Sequence, residues 1–111
     1  MVQGALKDNA LKGKTIVVTG GGTGLGKAMA MYFSELGANI VITSRKLDVL
    51  SVTANEIESK TNNRVLAVAC DVRNIEDVER MYKEAEDNFG SVDVLVNNAA
   101  GNFISPTERL S

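Results

Sequence analysis

Four short apolar runs rich in β-branched residues, three intervening segments with apolar residues at helical spacing, and a glycine cluster after the first run predict an α/β fold on a parallel sheet. Strands that are apolar on both faces and alternate with helices belong to a sheet covered on each side. With right-handed crossovers the order βαβαβαβ predicts strand order 3-2-1-4, the first half of a doubly wound sheet plus one strand across its switch point. Ligands of such sheets bind outside the carboxyl ends of the strands.

Each element has its own signal. Residues 14–19 (KTIVVT) read as a buried strand that stops at Gly20. From Gly24 onward, Leu25, Ala28, Met29, Tyr32, Phe33 and Leu36 recur at helical spacing, and Gly37 ends the pattern as a C-terminal cap would. Residues 39–43 (NIVIT) form the second strand. Residues 46–60 are helical, with Leu47, Leu50, Ala54 and Ile57 on one stripe and Glu56, Glu58 and Lys60 largely off it. Residues 64–70 (RVLAVAC) are the third strand. A third helix then starts from Asn74 as N-cap and carries Val78, Met81, Ala85 and Phe89 as far as Gly90. Residues 92–97 (VDVLVN) are the fourth strand.

Composition narrows the function. The 111 residues hold 12 Lys and Arg against 14 Asp and Glu, a net charge of −2, which provides no basic face for nucleic acid. Histidine is absent, which excludes His triads, His metal sites and His proton shuttles; no metal is expected. The single cysteine, Cys70, rules out an internal disulfide and reads as a small buried core residue. No apolar run approaches the ~20 residues that span a bilayer, and the first seven residues do not read as a secretory signal. A cytoplasmic protein is expected, with organelle targeting at a later C-terminus left open.

The glycine loop Thr19-Gly20-Gly21-Gly22-Thr23-Gly24-Leu25-Gly26-Lys27 suits an anion, because glycines let backbone N–H groups approach it and the helix that follows adds its dipole. Gly21, Gly26 and Lys27 satisfy the P-loop pattern, but Ala28 stands where the Mg²⁺-binding Ser or Thr belongs. Thr19, Gly20, Gly24 and Gly26 satisfy a dinucleotide pattern, T-G-x-x-x-G-x-G. A purely structural turn is the plain alternative.

Later residues bear on that choice. The second strand ends Thr43-Ser44-Arg45-Lys46 and offers no acid for a ribose 2′-hydroxyl until Asp48. Arg45 can fork onto a 2′-phosphate and Ser44 can donate to it, which favours NADP(H) over NAD(H); a solvated loop is the alternative. Past the third strand, Asp71 can accept from an adenine amino group while Val72 packs on the ring, or it can merely satisfy loop N–H groups. The fourth strand runs into Asn97-Asn98-Ala99-Ala100-Gly101, where amides beside small residues suit close approach to a flat ligand and can tie the strand to its neighbours.

Together, T-G-x-x-x-G-x-G, the Asp after the third strand and Asn-Asn-Ala-Ala resemble the short-chain dehydrogenase/reductase family, from about Leu11 onward. Within that family, Gly20–Gly26, Ser44-Arg45-Lys46 and above all residues 97–111 (NNAAGNFISPTERLS) look like the 2,4-dienoyl-CoA reductases. The resemblance implies that Gly20, Gly21, Gly22, Thr23, Gly24, Leu25 and Gly26 wrap the pyrophosphate of NADPH. It assigns Arg45 to the 2′-phosphate, Asp71 and Val72 to the adenine, and Asn98 and Ala99 to the ribose and nicotinamide side. It further assigns Arg73, Phe103 and Ser111 to the acyl-CoA, and Asn102 to polarising the thioester carbonyl. Phe103 as a core aromatic and Ser111 as a helix N-cap are the structural alternatives.

The family's catalytic Tyr and Lys have no match, since Tyr32 and Tyr82 are followed four residues later by Leu36 and Glu86. Residues 1–111 are therefore expected to be the N-terminal part of a single NADP-binding Rossmann domain, with residues 1–11 as an arm. The whole protein is expected to be a homotetramer that transfers hydride to a 2,4-dienoyl-CoA. The alternatives are another short-chain reductase, acting on an enoyl-CoA, 3-oxoacyl or steroid substrate, or a non-catalytic NADP-binding module. The segment alone is expected to be inactive and to expose an unpaired apolar strand edge at residues 92–96.

Overall fold

In a computed structural model, which describes residues 10–98 and 103–106, the elements run β1 (Thr15–Thr19), α1 (Gly24–Glu35), β2 (Asn39–Ser44), α2 (Leu47–Thr61), β3 (Val65–Ala69), α3 (Ile75–Phe89), β4 (Val94–Asn97) and β5 (Phe103–Pro106). They build one sheet in the order β3-β2-β1-β4-β5. The first four strands pair in parallel in the expected order, with Val17 opposite Val41 on one side and Leu95 on the other.

The sheet is buried on both faces, and each face has its own core. Ile16, Val18, Ile40 and Ile42 meet Ala30 of α1 and Leu50, Ala54 and Ile57 of α2. Val17, Val41 and Val68 meet Met81 and Ala85 of α3 on the opposite face. Alternate residues of one strand thus feed two cores, which is why these strands carry unbroken β-branched runs. Fully burying a side chain such as Ile40, Ile57 or Met81 contributes roughly 1.5–3 kcal/mol.

The apolar stripe expected on the first helix is corrected. The residues of α1 that are buried are Gly26, Ala30 and Ser34, while Leu25 and Tyr32 are 54% and 51% exposed. The cause is close approach: a Cβ on Gly26 would overlap the Gly20 carbonyl. Gly26, Ala30 and Ser34 form a close-packed ridge that runs from the turn to the neighbouring helix, where Ser34 meets Thr61 at 2.7 Å, and the bulkier Met29, Met31 and Phe33 pack beside it against the core. Leu47, in the first turn of α2, is likewise half exposed and does not join the stripe expected of it.

Leu11, the last residue of the expected N-terminal arm, donates its N–H to the Leu36 carbonyl at 2.8 Å, and its side chain packs against the core. One further expectation changes. β4 is not an open edge, because β5 pairs with it antiparallel, Val96 opposite Ile104. An unpaired strand edge needs partners for its N–H and C=O groups. Residues 98–102 are too few for the crossover of about a dozen residues that a parallel neighbour requires, so the chain returns antiparallel. Pro106 sits on the outermost strand, where a missing N–H is tolerated.

α3 begins as its sequence suggests. The Asn74 side chain caps it by accepting from the Asp77 N–H at 3.1 Å, and Glu76 and Asp77 in the first turn complement the helix dipole. Asn74→Ala should lower stability by about 1 kcal/mol in urea denaturation; an unchanged midpoint would show that the cap contributes nothing.

Candidate functional site

The carboxyl ends of β1, β2, β3 and β4 bring four loops together. The turn between β1 and α1 holds Gly20–Thr23, and Gly20 takes a positive φ of 65°. Its N–H donates to the Thr43 carbonyl at 2.7 Å, and the Gly21 N–H reaches the same oxygen at 3.3 Å. The turn is therefore pinned to the end of β2. A Cβ on Gly21 would come within 2.6 Å of Ile42, so side chains are excluded from the turn by packing as well as by conformation.

From the other side β4 holds the same turn. Asn98 donates from Nδ2 to the Gly20 carbonyl at 3.3 Å, and the Thr19 hydroxyl donates to Asn97 Oδ1 at 3.1 Å. The paired asparagines thus tie the central strand to its neighbours, as their sequence suggested. α2 adds a third tie, since the buried Thr53 hydroxyl donates to the Gly22 carbonyl at 2.6 Å. Sequence reasoning passed over Thr53; its only signal is a threonine set into the stripe Leu50, Ala54, Ile57.

Held in this way, the turn opens α1 towards the cleft. Thr23 is the N-cap but makes no side-chain cap, and no described residue accepts from the N–H groups of Thr23, Gly24 or Leu25. Uncapped amides at the positive end of a helix dipole suit an anion. Lys27 does not serve it as a P-loop lysine would, because its ammonium pairs with Glu56 of α2 at 2.7 Å and holds the Glu56 carboxyl below its usual range.

Two adjoining clefts cross this region and share Gly20, Ser44 and Arg45. One, of about 320 Å³, also meets Gly22, Thr23, Lys46 and Val49. The other, of about 410 Å³, continues past Thr43 to Cys70, Asp71, Val72 and Arg73. Arg45 is exposed at their junction and has no hydrogen bond or ion pair among the described residues. The Ser44 hydroxyl accepts from the Lys46 N–H at 3.1 Å, which leaves its own proton to donate. The Thr43 hydroxyl is buried beside the larger cleft with no partner among the described residues. Glycines whose Cβ positions are filled by neighbours, amides without acceptors and a guanidinium at the junction fit a phosphorylated dinucleotide laid across the strand ends.

At the far end, Asp71 is already engaged. Arg73 forks onto it from Nε and Nη2 at 3.1 Å each, and the Arg73 N–H adds a bond of 3.0 Å. The guanidinium draws the Asp71 carboxyl down to about 2, and Arg45 adds a smaller pull. The pair is solvent-screened and so weak enough to open for a ligand. Cys70 is buried among apolar side chains, and burial pushes its thiol up, away from nucleophilic use. Val72 is partly exposed at the cleft, where a ring can pack. Ala99, Asn102 and Ser111 lie outside the described residues, and Phe103 is described as a position in β5 opposite Asn97.

The short chain dehydrogenase profile matches residues 14–111, and the chain belongs to that family. Among its relatives, an uncharacterised oxidoreductase of Caenorhabditis elegans is 49% identical over 108 residues, covering 96% of this chain and 34% of that protein. A probable 2,4-dienoyl-CoA reductase of the same organism is 47% identical, covering 96% and 35%, and the peroxisomal 2,4-dienoyl-CoA reductase of Danio rerio 41%, covering 91% and 34%. The L-sorbose reductase of Gluconobacter frateurii, solved with NADPH and L-sorbose, superposes with a TM-score of 0.77 at 40% identity, over 82% of this chain and 35% of that one. The chain spans about a third of the length of these relatives.

The clasp at Asp71 makes a test of its own. A carboxyl held below its ordinary value stabilises the fold fully above 3.8, and that contribution is lost as pH falls through about 2. Asp71→Asn should flatten the stability profile in that window in denaturation series across pH, and an unaltered profile would contradict the clasp.

Proposed function

We propose that the whole protein is an NADPH-dependent reductase acting on a 2,4-dienoyl-CoA, and that this chain carries its cofactor-binding part. The observation that carries the reading is convergence: the glycine turn, Arg45 and Asp71 line one continuous path along the strand ends. NADPH, when bound, supplies the hydride that reduces the conjugated diene. The Thr23, Gly24 and Leu25 amides take the pyrophosphate, and Gly20, Gly21, Gly22 and Gly26 let the turn and helix pack closely enough to present them. Arg45 and Ser44 take the 2′-phosphate: the planar guanidinium fork bonds its anionic oxygens, where an acid would repel them.

Asp71 takes the adenine amino group once Arg73 swings away, Val72 packs on the ring, and Asn98 and Ala99 flank the ribose and nicotinamide. Arg73, Phe103 and Ser111 serve the acyl-CoA. Reduction of the diene leaves negative charge on the thioester oxygen before protonation gives the enoyl-CoA. An amide donor such as Asn102 stabilises that oxygen more than the neutral thioester, which is where a donor contributes to rate. The substrate assignment rests on residues 97–111 and on the dienoyl-CoA reductases among the relatives.

Arg45→Asp should weaken NADPH by about two orders of magnitude and NADH by far less, the loss expected where a charge-assisted fork is replaced by a like charge. Protein from the full reading frame should oxidise NADPH with a dienoyl-CoA. Equal losses for both cofactors would defeat the 2′-phosphate role, and turnover of ketones without turnover of a dienoyl-CoA would defeat the substrate.

A further inference from the structure

We infer that Thr53 is a positioning residue for the cofactor: from α2 it sets the orientation of the Gly22–Thr23 peptide, and so aims the Thr23 N–H at the pyrophosphate. This rests on the dinucleotide reading above. A threonine inside a helix ordinarily returns its hydroxyl to the carbonyl four residues back, as Thr61 does to Ile57 at 2.9 Å. Thr53 instead reaches across 31 residues of sequence to the Gly22 carbonyl at 2.6 Å, and it is 4% exposed. No peptide described is cis, and in a planar trans peptide the C=O and the following N–H point in opposite directions. Drawing the Gly22 carbonyl into the buried seam with α2 therefore turns the Thr23 N–H outward, to the cleft that both residues line.

Glycine at 22 leaves this peptide free to rotate unless something holds it. Val49, one helical turn before Thr53, closes the space beside it, since a Cβ on Gly22 would meet Val49 Cγ1 at 3.2 Å. Two other polar contacts hold α2 against α1, Lys27 to Glu56 at 2.7 Å and Ser34 to Thr61 at 2.7 Å. Neither touches the turn, so the peptide depends on Thr53.

The test compares NADPH with adenosine 2′-monophosphate, which keeps the 2′-phosphate and adenine contacts but lacks the pyrophosphate, on protein from the full reading frame. Thr53→Val, of nearly the same shape, should weaken NADPH about tenfold and adenosine 2′-monophosphate less than twofold, and Thr53→Ser should restore the NADPH affinity. General loosening of the fold would weaken both ligands together. Equal losses, or none, would overturn the inference, as would failure of Thr53→Ser to restore binding. Should Thr53→Val not fold, Thr53→Cys reads the same selectivity with a weaker donor, and unchanged NADPH affinity there would overturn it as well. If the unsubstituted protein bound neither ligand, the dinucleotide reading itself would fall.

Discussion

The close contact between the start of α1 and the turn before it governs this end of the molecule. Gly26 lies against the Gly20 carbonyl with no room for a Cβ, which sets the helix down on the sheet directly over the end of β1. From that contact follow the small residues Ala30 and Ser34 further along the same face and the displacement of Leu25 and Tyr32 into solvent. The opening of the first-turn amides towards the cleft follows too. A larger residue at 26 would lift the helix and move its positive end away from whatever lies there.

Around that contact the fold spends polar groups with economy. Thr43 supplies a carbonyl to two glycine amides, Asn98 donates to a third group of the same turn, and Thr53 fixes a fourth. Each tie comes from a different element, so the turn is set by the packing of the sheet as a whole. Such a frame holds amide dipoles in place before a ligand arrives, which reduces the ordering cost of binding. The charged groups along the cleft are, by contrast, exposed and adjustable: Arg45 stands at the junction and Arg73 clasps Asp71 from the surface.

Much of this was legible in the sequence, for a physical reason. Strands buried on both faces leave unbroken runs such as TIVVT and NIVIT, and the loops that end them carry their chemistry at fixed places. Gly20, Arg45, Asp71 and Asn98 each stand at such an end, and the structure brings the first three to one cleft and ties the fourth to the turn. The buried face of α1 is not legible from hydropathy, which favours Leu25 and Tyr32, whereas steric closeness favours glycine, alanine and serine. Thr53 is not legible because a single hydroxyl in an apolar stripe does not announce a partner 31 residues away. Nor is β5, because FISP is short and ends in proline, and the edge of β4 gives it its reason to pair.

A crystal structure of the protein with NADPH decides whether a phosphorylated adenine dinucleotide lies across these strand ends. The pyrophosphate is then expected on the amides of Thr23 to Leu25 and the 2′-phosphate about 3 Å from the Arg45 guanidinium. The adenine should lie between Asp71 and Val72, with the Arg73 fork released. A dinucleotide bound elsewhere, or a magnesium nucleoside triphosphate in its place with Lys27 drawn off Glu56 onto the phosphates, would contradict that placement.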